Sequence, residues 1–416
     1  MSTLFRIAIR NLLKNRRRTL TAVLAIAMGY AAVNVFGGFT RYINSNLRDS
    51  FIYNQGNGHL GIFREGFLEK GLLDPEAYLL TESETDSLLT MLRARPDVSL
   101  ATPQLTITGI VSNGSASTIF IGVGRVPSDA ATMQERAPGM LGKLKPFEGE
   151  PLRDDAREGV AVSEGLAAIL DLNVGDGIIA VSPTIDGQTN ALDAEMFQTF
   201  EAAVDLLNDK LMFVPLRFAR DLFATERADR IIVLLNETAD TERVREELKA
   251  AFREQGQSFE LRTWEDLSLL YRKVRQMFDI IFLFLFIIVL VISVMSVVNT
   301  VNMAVMERIR EIGTLRALGM RRAQIVRLFA LESAVLGIVG SFLGIALTLG
   351  VWGIVKLIGP TWVPPIITAR IPLEIYLVPE YLIGAFIFLL ALAITSATFP
   401  ARRAARQEIV DALGHA

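Results

Sequence analysis

Long apolar runs and mixed polar stretches alternate unevenly along this chain. Residues 19–39 carry no charged side chain. At about 1.5 Å per residue, a helix over that run reaches roughly 30 Å, the thickness of a bilayer's hydrocarbon core. Three further runs of this kind follow at residues 280–305, 333–355 and 382–399. Each predicts a membrane-spanning helix. Ahead of the first run, Arg6, Arg10 and Lys14 are four residues apart, with Phe5, Ala8, Ile9, Leu12 and Leu13 covering the other side. That stripe predicts either an amphipathic helix lying in the membrane interface or a plain basic lead-in to the span. The first run is longer than a signal-peptide core of about 7–15 residues and has no clear small-x-small site after it, so an uncleaved span is expected.

Between residues 41 and 276 the long runs give way to turns, charges and short β-type alternations. Residues 105–111 and 117–123 flank Asn113-Gly114 and predict a β-hairpin. A strand at 159–162 is expected to lead through Ser163, as a helix cap, into a helix ending near Leu170. Gly175, Asp176 and Gly177 read as a turn into a strand at 178–181. Strands at 210–215, 230–235 and 258–262 alternate with helices at 216–223 and 241–252. The pattern predicts an α-helical membrane protein with four transmembrane helices and a large extracytoplasmic mixed α/β domain, of one or two lobes, between the first and second. The expected divisions are an interfacial helix at 1–18, spans at 19–40, 277–305, 325–355 and 381–400, and the α/β domain at 41–276. A cytoplasmic helix at 306–324, a Pro-rich loop at 356–380 and a tail at 401–416 complete them.

The charged stretch 307–319 connects the second and third spans. Its Ile309, Ile312, Leu315 and Leu318 recur about every three residues, which places them near one helix face with Arg308, Glu311 and Arg316 around it. Gly319 is a natural terminator, because glycine enters the left-handed conformation without a Cβ clash. In the third span Gly337, Gly340 and Gly344 lie on or near one face and predict close helix packing. Asn299 and Asn302 in the second span are expected to make inter-helix hydrogen bonds. Glu332 is expected either at the membrane interface or in an ion pair with Arg327 or a neighbouring chain. His59 reads as a surface or strand-edge residue, and residues 264–276 as a connector from the α/β domain to the second span. Pro360, Pro364, Pro365, Pro372 and Pro379 predict an extended loop before the last span.

Charge orients these elements. Arg6, Arg10, Lys14 and Arg16 to Arg18 precede the first span. Arg308, Arg310, Arg316, Arg321, Arg322 and Arg327 lie near the second turn, and Arg402, Arg403 and Arg406 in the tail, whereas the Pro-rich loop has only Lys356 and Arg370. Basic residues gather on the cytoplasmic side, so both termini and the 307–319 helix are expected there and the large domain outside. Residues 41–276 hold 25 Lys and Arg against 37 Asp and Glu, so the domain is acidic and excludes nucleic acid as a partner. A mean hydropathy of +0.38 fits spans plus an aqueous domain. With no cysteine and two histidines, no metal site is expected. The nearest approach to a phosphate-binding loop, at Gly142-Lys143, has Ala137 in place of the first glycine and Leu144 in place of the hydroxyl. No nucleophile elbow or zinc-protease helix occurs. No catalytic residue is assigned, and the chain is not expected to be an enzyme by itself.

Residues 307–319, with Gln324, Ile325, Leu331, Glu332 and Ser333, resemble the FtsX-like permease domain of ABC transporters, a group that includes MacB, LolC and LolE. Residues 7–13 and 17–20 are similar to the family's N-terminal segment, and 400–405 with 409–413 to its tail. Val162, Ser163, Leu166, Ala167, Leu170, Leu172, Val174, Gly175 and Asp176 are similar to its periplasmic core. The resemblance implies a four-span subunit that pairs with a second permease copy, as homodimer or heterodimer, in the bacterial inner membrane. It implies ABC ATPase subunits as separate partners, with ATP and Mg²⁺ bound there and no cofactor on this chain. Glu307, Arg308, Arg310, Glu311, Thr314, Arg316 and Gly319 then belong to the helix that couples to the ATPase. Residues 197–216, with Asp205, are more like the LolC/LolE type, although the usual Val-x-Gly-Ile-Phe core reads Phe197-Gln-Thr-Phe-Glu-Ala-Ala here. That likeness implies release of a lipidated or hydrophobic substrate such as a lipoprotein. MacB-like efflux with a periplasmic adaptor and outer-membrane channel, and FtsX-like control of an extracytoplasmic hydrolase, stand beside it.

Overall fold

A helix in an apolar medium must satisfy its own backbone N–H and C=O groups, and a run free of charge gives it no local reason to stop. The computed structural model describes residues 10, 16–71, 73–138, 147–156, 158–202, 205–362 and 371–406. By contact the chain divides into two units: Met1–Ile43 with Val274–Pro360 and Pro372–Ala416, and Asn44–Lys273 with Thr361–Ile371. Of the interfacial helix expected at 1–18, only Arg10, which is helical, and residues 16–18, which open the first long helix, are described, and the tail motif at 409–413 lies outside the described residues. The first helix, α1 (Arg16–Asp49), runs well past the apolar stretch and ends in a π-helical turn, Ser50–Asn54. Composition marks where lipid-compatible side chains end, but the helix continues because Tyr42, Ile43 and Ile52 still bury apolar surface.

The second unit begins with β1 (Leu60–Arg64), α2 (Glu82–Arg93), β2 (Val98–Ser112), β3 (Ser117–Arg125) and α3 (Pro127–Glu135). Next come β4 (Phe147–Gly149), β5 (Gly159–Ser163), α4 (Glu164–Ile169), β6 (Gly177–Pro183) and β7 (Thr189–Phe200). It closes with β8 (Leu211–Pro215), α5 (Leu216–Phe223), β9 (Arg230–Leu235), α6 (Thr241–Glu254) and β10 (Phe259–Thr263). All these strands join one sheet, ordered β10-β1-β9-β2-β3-β8-β5-β7-β4, with β6 against β2 and β7. The β3–β8 and β5–β7 pairs are parallel. The first part of β2 pairs with β9 and its last residues with β6, so one strand serves two apolar layers. One layer sets Leu166, Phe218 and Leu222 with Leu105, Phe120 and Val162. The other sets Leu88, Leu92, Leu248 and Phe252 with Leu60, Ile62 and Val233. The β2–β3 turn is held by Asn113 Oδ1, which accepts from the N–H of Ser115 and Ala116 at 2.8 and 2.7 Å.

Three local expectations change. Ser163 precedes α4 without capping it, because its hydroxyl donates instead to the Asn208 carbonyl oxygen at 2.8 Å. β7 is a strand that the sequence pattern hid, since its polar residues mask an alternation in which only Ala194, Met196 and Phe200 are buried. His59, expected at the surface or at a strand edge, is 0% exposed and its backbone is bonded on both sides, to Val233 and Trp264. Its Nδ1 accepts from the Leu235 N–H at 3.0 Å, so Nε2 carries the proton and donates to Thr238 Oγ1, also at 3.0 Å. Burial, and then the nearby Arg48 charge, push its pKa down to about 4.

After a one-turn helix at Trp264–Leu267 and a break at Ser268, α7 (Leu269–Glu307) begins. It is followed by α8 (Ile309–Ala317), α9 (Arg322–Ile358) and α10 (Pro379–Arg406). The four long helices, α1, α7, α9 and α10, are long and apolar enough to cross a membrane. Their packing turns on small residues. A Cβ at Gly340 would lie 2.8 Å from Ile26 Cβ, and one at Gly344 2.6 Å from Tyr30 Cβ, so these two glycines face α1. Gly337 faces α10, where a Cβ would meet that of Ala393 at 3.3 Å. The buried Ala393, Ala397, Ala401 and Ala404 continue that small-residue seam along α10. Tyr30 also donates its hydroxyl to the Leu382 carbonyl oxygen at 2.8 Å.

Two outcomes follow from this packing and burial. Gly344→Ala drives a methyl group into Tyr30 and is expected to lose about 1–3 kcal/mol of stability. Gly350→Ala, where nothing lies within 4 Å of the added carbon, should leave thermal unfolding of the detergent-solubilised chain unchanged. For His59, the folded-state pKa of about 4 lies below the ordinary 6.5. Its neutral, bonded form therefore costs nothing above pH 6.5, and the stability is lost as pH falls from 6.5 towards 4, by about 3 kcal/mol. A His59→Asn variant should show a correspondingly shallower loss in unfolding measured across that window.

Candidate coupling site

Two breaks define α8. At its start Arg308 leaves helical geometry, with φ −123° and ψ 18°. At its end Gly319 has φ +95°, and the Met320 N–H reaches the Leu315 oxygen at 3.0 Å while the Gly319 N–H reaches that of Arg316, also at 3.0 Å. This is the left-handed glycine cap that satisfies a helix's last carbonyls. Arg321 then opens α9, its N–H donating to Gln324 Oε1 at 2.8 Å. Between the breaks, Ile309, Ile312 and Gly313 are buried, whereas Arg310, Glu311 and Thr314 are exposed. Leu318 departs from the expected apolar face and is 80% exposed. The reason is local: the helix ends at Ala317, so the next residue no longer follows its periodicity.

The break at Arg308 frees its side chain to reach α9. Arg308 Nη1 lies 3.0 Å from Glu332 Oε1, with side-chain exposures of 11% and 7%. This corrects the expected pairing of Glu332 with Arg327, which is exposed on α9. Glu332 is also not an interface residue, because it is buried among the helices at 5% exposure. Removing either member of such a pair takes an opposite charge from a partner held in a low-dielectric site. The pair therefore fixes where α8 starts relative to α9. Of the other residues singled out by sequence, Glu307 is exposed, Arg316 is half-buried, and Gly337, Gly340 and Gly344 form the helix seams described above. Asn299 and Asn302 are exposed on α7 beside exposed Met295 and Met303, so they do not contribute to the interior of this chain's bundle. Sequence reasoning missed Tyr30, although an aromatic hydroxyl in an apolar run signals a buried bond to a neighbouring backbone. Among the described residues, no group of three or more His, Cys, Asp or Glu is placed to hold a metal.

Two family models match the chain: the MacB-like periplasmic core domain over residues 19–251, more than half of it, and the FtsX-like permease C-terminal region over 283–409. An ABC transporter permease of Methanocaldococcus jannaschii, MJ1507, is 26% identical over 209 residues, covering 50% of this chain and 51% of that protein. The ABC transporter permease YtrF of Bacillus subtilis is 34% identical over 123 residues, covering 28% and 27%. The macrolide export ATP-binding/permease protein MacB 1 of Yersinia pestis is 31% identical over 115 residues, covering 28% and 16%. The chain thus spans about half, or less, of the length of these curated relatives. Among solved structures, the periplasmic region of MacB from Actinobacillus actinomycetemcomitans aligns with 50% of this chain and 90% of its own, at 16% identity and a TM-score of 0.34. The extracellular domain of YknZ from Gram-positive bacteria aligns with 50% and 100%, at 13% identity and a TM-score of 0.34.

The ion pair makes a direct prediction. Arg308→Met or Glu332→Leu alone should cost about 3–5 kcal/mol, while the double variant should recover most of that loss. A double-mutant cycle from thermal unfolding reads the coupling, and additive single effects would disprove the pairing.

Proposed function

The chain belongs to the FtsX-like, MacB-type permeases of ABC transporters, membrane proteins with a periplasmic core domain, and on that footing we propose that it carries force from a separate ATPase subunit to its own periplasmic domain. The observation that carries this reading is the division of α8. Ile309, Ile312 and the Arg308–Glu332 pair hold its inner side, while Arg310, Glu311 and Thr314 are left outward for a partner. ATP closure of the partner would move α8 as one piece, and α7 and α9 with it. ATP and Mg²⁺ belong to the partner in this scheme, and the chain itself performs no chemistry.

The excess of basic residues around α8 and at both chain ends supports placing them in the cytoplasm, with the membrane being the bacterial inner one. A second permease copy completes the assembly. Asn299 and Asn302, exposed on an otherwise apolar helix, suit hydrogen bonds across that interface. The cargo is a lipidated or hydrophobic substrate, lipoprotein release being the nearest type. The LolC/LolE-like stretch and the apolar exposed side of α7, with Ile280, Leu283, Phe284 and Ile287, support it. Relatives named for macrolide export favour a second reading, efflux through a periplasmic adaptor and outer-membrane channel.

The test is ATP turnover of the chain purified with its ATPase. Reversing the exposed charges together, Arg310→Glu with Glu311→Arg, should lower co-purification and turnover by about tenfold or more, with thermal unfolding unchanged. Turnover and assembly indifferent to that change would end the coupling reading. Stimulation by a lipoprotein, rather than by a macrolide with an adaptor, separates the two cargo readings.

A further inference from the structure

Six strands of the second unit close into a ring. β2 pairs with β3, β3 with β8, β8 with β5, β5 with β7, β7 with β6 and β6 with β2. Side chains of such a ring point alternately inward and outward. Val111, Phe120, Ile178 and Ala180 belong to the apolar layer inside it. Ile110, Ile119 and Ile179 therefore point outward, where they are 51%, 62% and 44% exposed. They are also neighbours. Ile110 lies opposite Ile119 on one side and Val181 on the other, and Ile179 shares the face of Val181 along β6. At the β2–β3 turn, Asn113 Nδ2 donates to the Leu170 oxygen at 2.6 Å. That bond brings the exposed Ile169 and Val174 to the same end of the ring.

Isolated exposed apolar residues need no explanation, but a contiguous group of them marks a contact surface. This group is also bare of charge: residues 106–112, 117–124 and 177–183 hold no Asp, Glu, Lys or Arg. The charges beside it have one sign. From Glu158 to Asp209 the chain carries ten Asp and Glu and no Lys or Arg. Of these, Asp171, Asp193 and Glu195 are exposed at the rim, Asp193 directly opposite Ile179 across β6 and β7. Arg157 and Lys210 flank that stretch in sequence, and Lys210 is paired with Asp209 at 3.3 Å. The two arginines of α5, which packs on the ring, are taken up by Asp221 and Glu226. Phe147 pairs with Phe200 at the end of β7 away from Asp193, and the undescribed residues 139–146 and 203–204 join the chain beside that pair.

A second copy of this chain would set acid against acid on such a surface, and an anionic lipid surface is repelled in the same way. The complementary surface is apolar in its middle and basic at its edge. We propose that this end of the ring is a docking surface for an extracytoplasmic protein, engaged through an apolar segment flanked by Lys or Arg. The isoleucines supply the contact that excludes water, and the acids steer and orient the partner. The surface is separate from α8 and needs no nucleotide, so its failure would leave the coupling reading untouched.

The chain has no cysteine, so Ser115→Cys at the exposed turn carries a single polarity-sensitive fluorophore. Binding is read from it in the full chain, held in phosphatidylcholine nanodiscs without the ATPase. The probes are a synthetic amphipathic peptide of leucine and lysine, and the same peptide with glutamate in place of lysine. The lysine peptide is expected to bind about tenfold tighter or more than the glutamate one, and more weakly as salt rises. Ile110→Thr with Ile119→Thr keeps β-branched side chains at exposed positions, so thermal unfolding should be unchanged while lysine-peptide affinity falls about tenfold. Asp193→Asn with Glu195→Gln should lower that affinity about threefold and flatten its salt dependence. No binding of the lysine peptide, or binding indifferent to the isoleucine substitutions, would overturn the proposal. So would self-association of the native chain, or its binding to phosphatidylglycerol vesicles, that the isoleucine substitutions abolish, since the surface would then serve a second copy or a membrane.

Discussion

Helices in a lipid phase gain nothing from hiding apolar side chains, because the surroundings are equally apolar. The bundle therefore depends on close contact where side chains are missing. Gly340 and Gly344 let α9 approach Ile26 and Tyr30 of α1 so closely that a methyl group would overlap them. The order of those contacts, 26 with 340 and 30 with 344, also shows that α1 and α9 run in the same direction. The same seam positions Tyr30 to bond the backbone of α10, and Gly29, on an adjacent face of α1, admits Val289 of α7. α1 is thus held by three helices, and Tyr30, Ile26 and Ala22 are essentially inaccessible. α7 is different. Beyond its contacts with α1 it presents Ile280, Phe284, Ile287 and Met295 outward, a surface fit for lipid or for another copy.

Against that apolar background, the Arg308–Glu332 pair does a separate job. A buried ion pair adds little net stability, since desolvation offsets most of its attraction. What it adds is selection among arrangements, because any shift of α8 that parts the two charges loses their mutual attraction in a buried site. An apolar pair at the same place would tolerate sliding. The inner face of α8 is narrow, essentially Ile309 and Ile312, and would alone define its position poorly.

The elements that were legible in the sequence are those settled by neighbours in the chain. Span length is a local property, and so is the Asn113–Gly114 hairpin, whose turn is closed by the Asn113 side chain itself. Gly319 announced its own left-handed cap. Most of the failures share a cause in long-range contact. His59 is buried because Leu235 and Thr238, far along the chain, supply its two hydrogen bonds. Glu332 chose Arg308 over Arg327 because a backbone break, invisible in composition, turned the former inward. Leu318 was misplaced because the helical period was carried one residue too far, although the glycine that stops the helix stood next to it. β7 escaped notice because half of its alternating positions hold polar or small residues that packing alone distinguishes.

Where the chain enters and leaves the sheet, the second unit is tied to itself. Tyr53, in the π-helical turn, meets the edge of His59 at 5.8 Å, and the His59 oxygen accepts from the Trp264 N–H at 2.9 Å. Trp264 in turn packs edge-on against Tyr271 at 4.7 Å, one turn into α7. The two roots therefore form a continuous chain of contacts, Tyr53 to His59 to Trp264 to Tyr271, rather than two separate attachments. A pull on either root would strain the same hydrogen bond between His59 and Trp264. The neutral imidazole matters to that link. A protonated ring would offer Leu235 a donor in place of an acceptor and break the bond that holds His59 in register with β9. Keeping the ring dry and uncharged is thus what lets one short backbone contact join the incoming and outgoing strands.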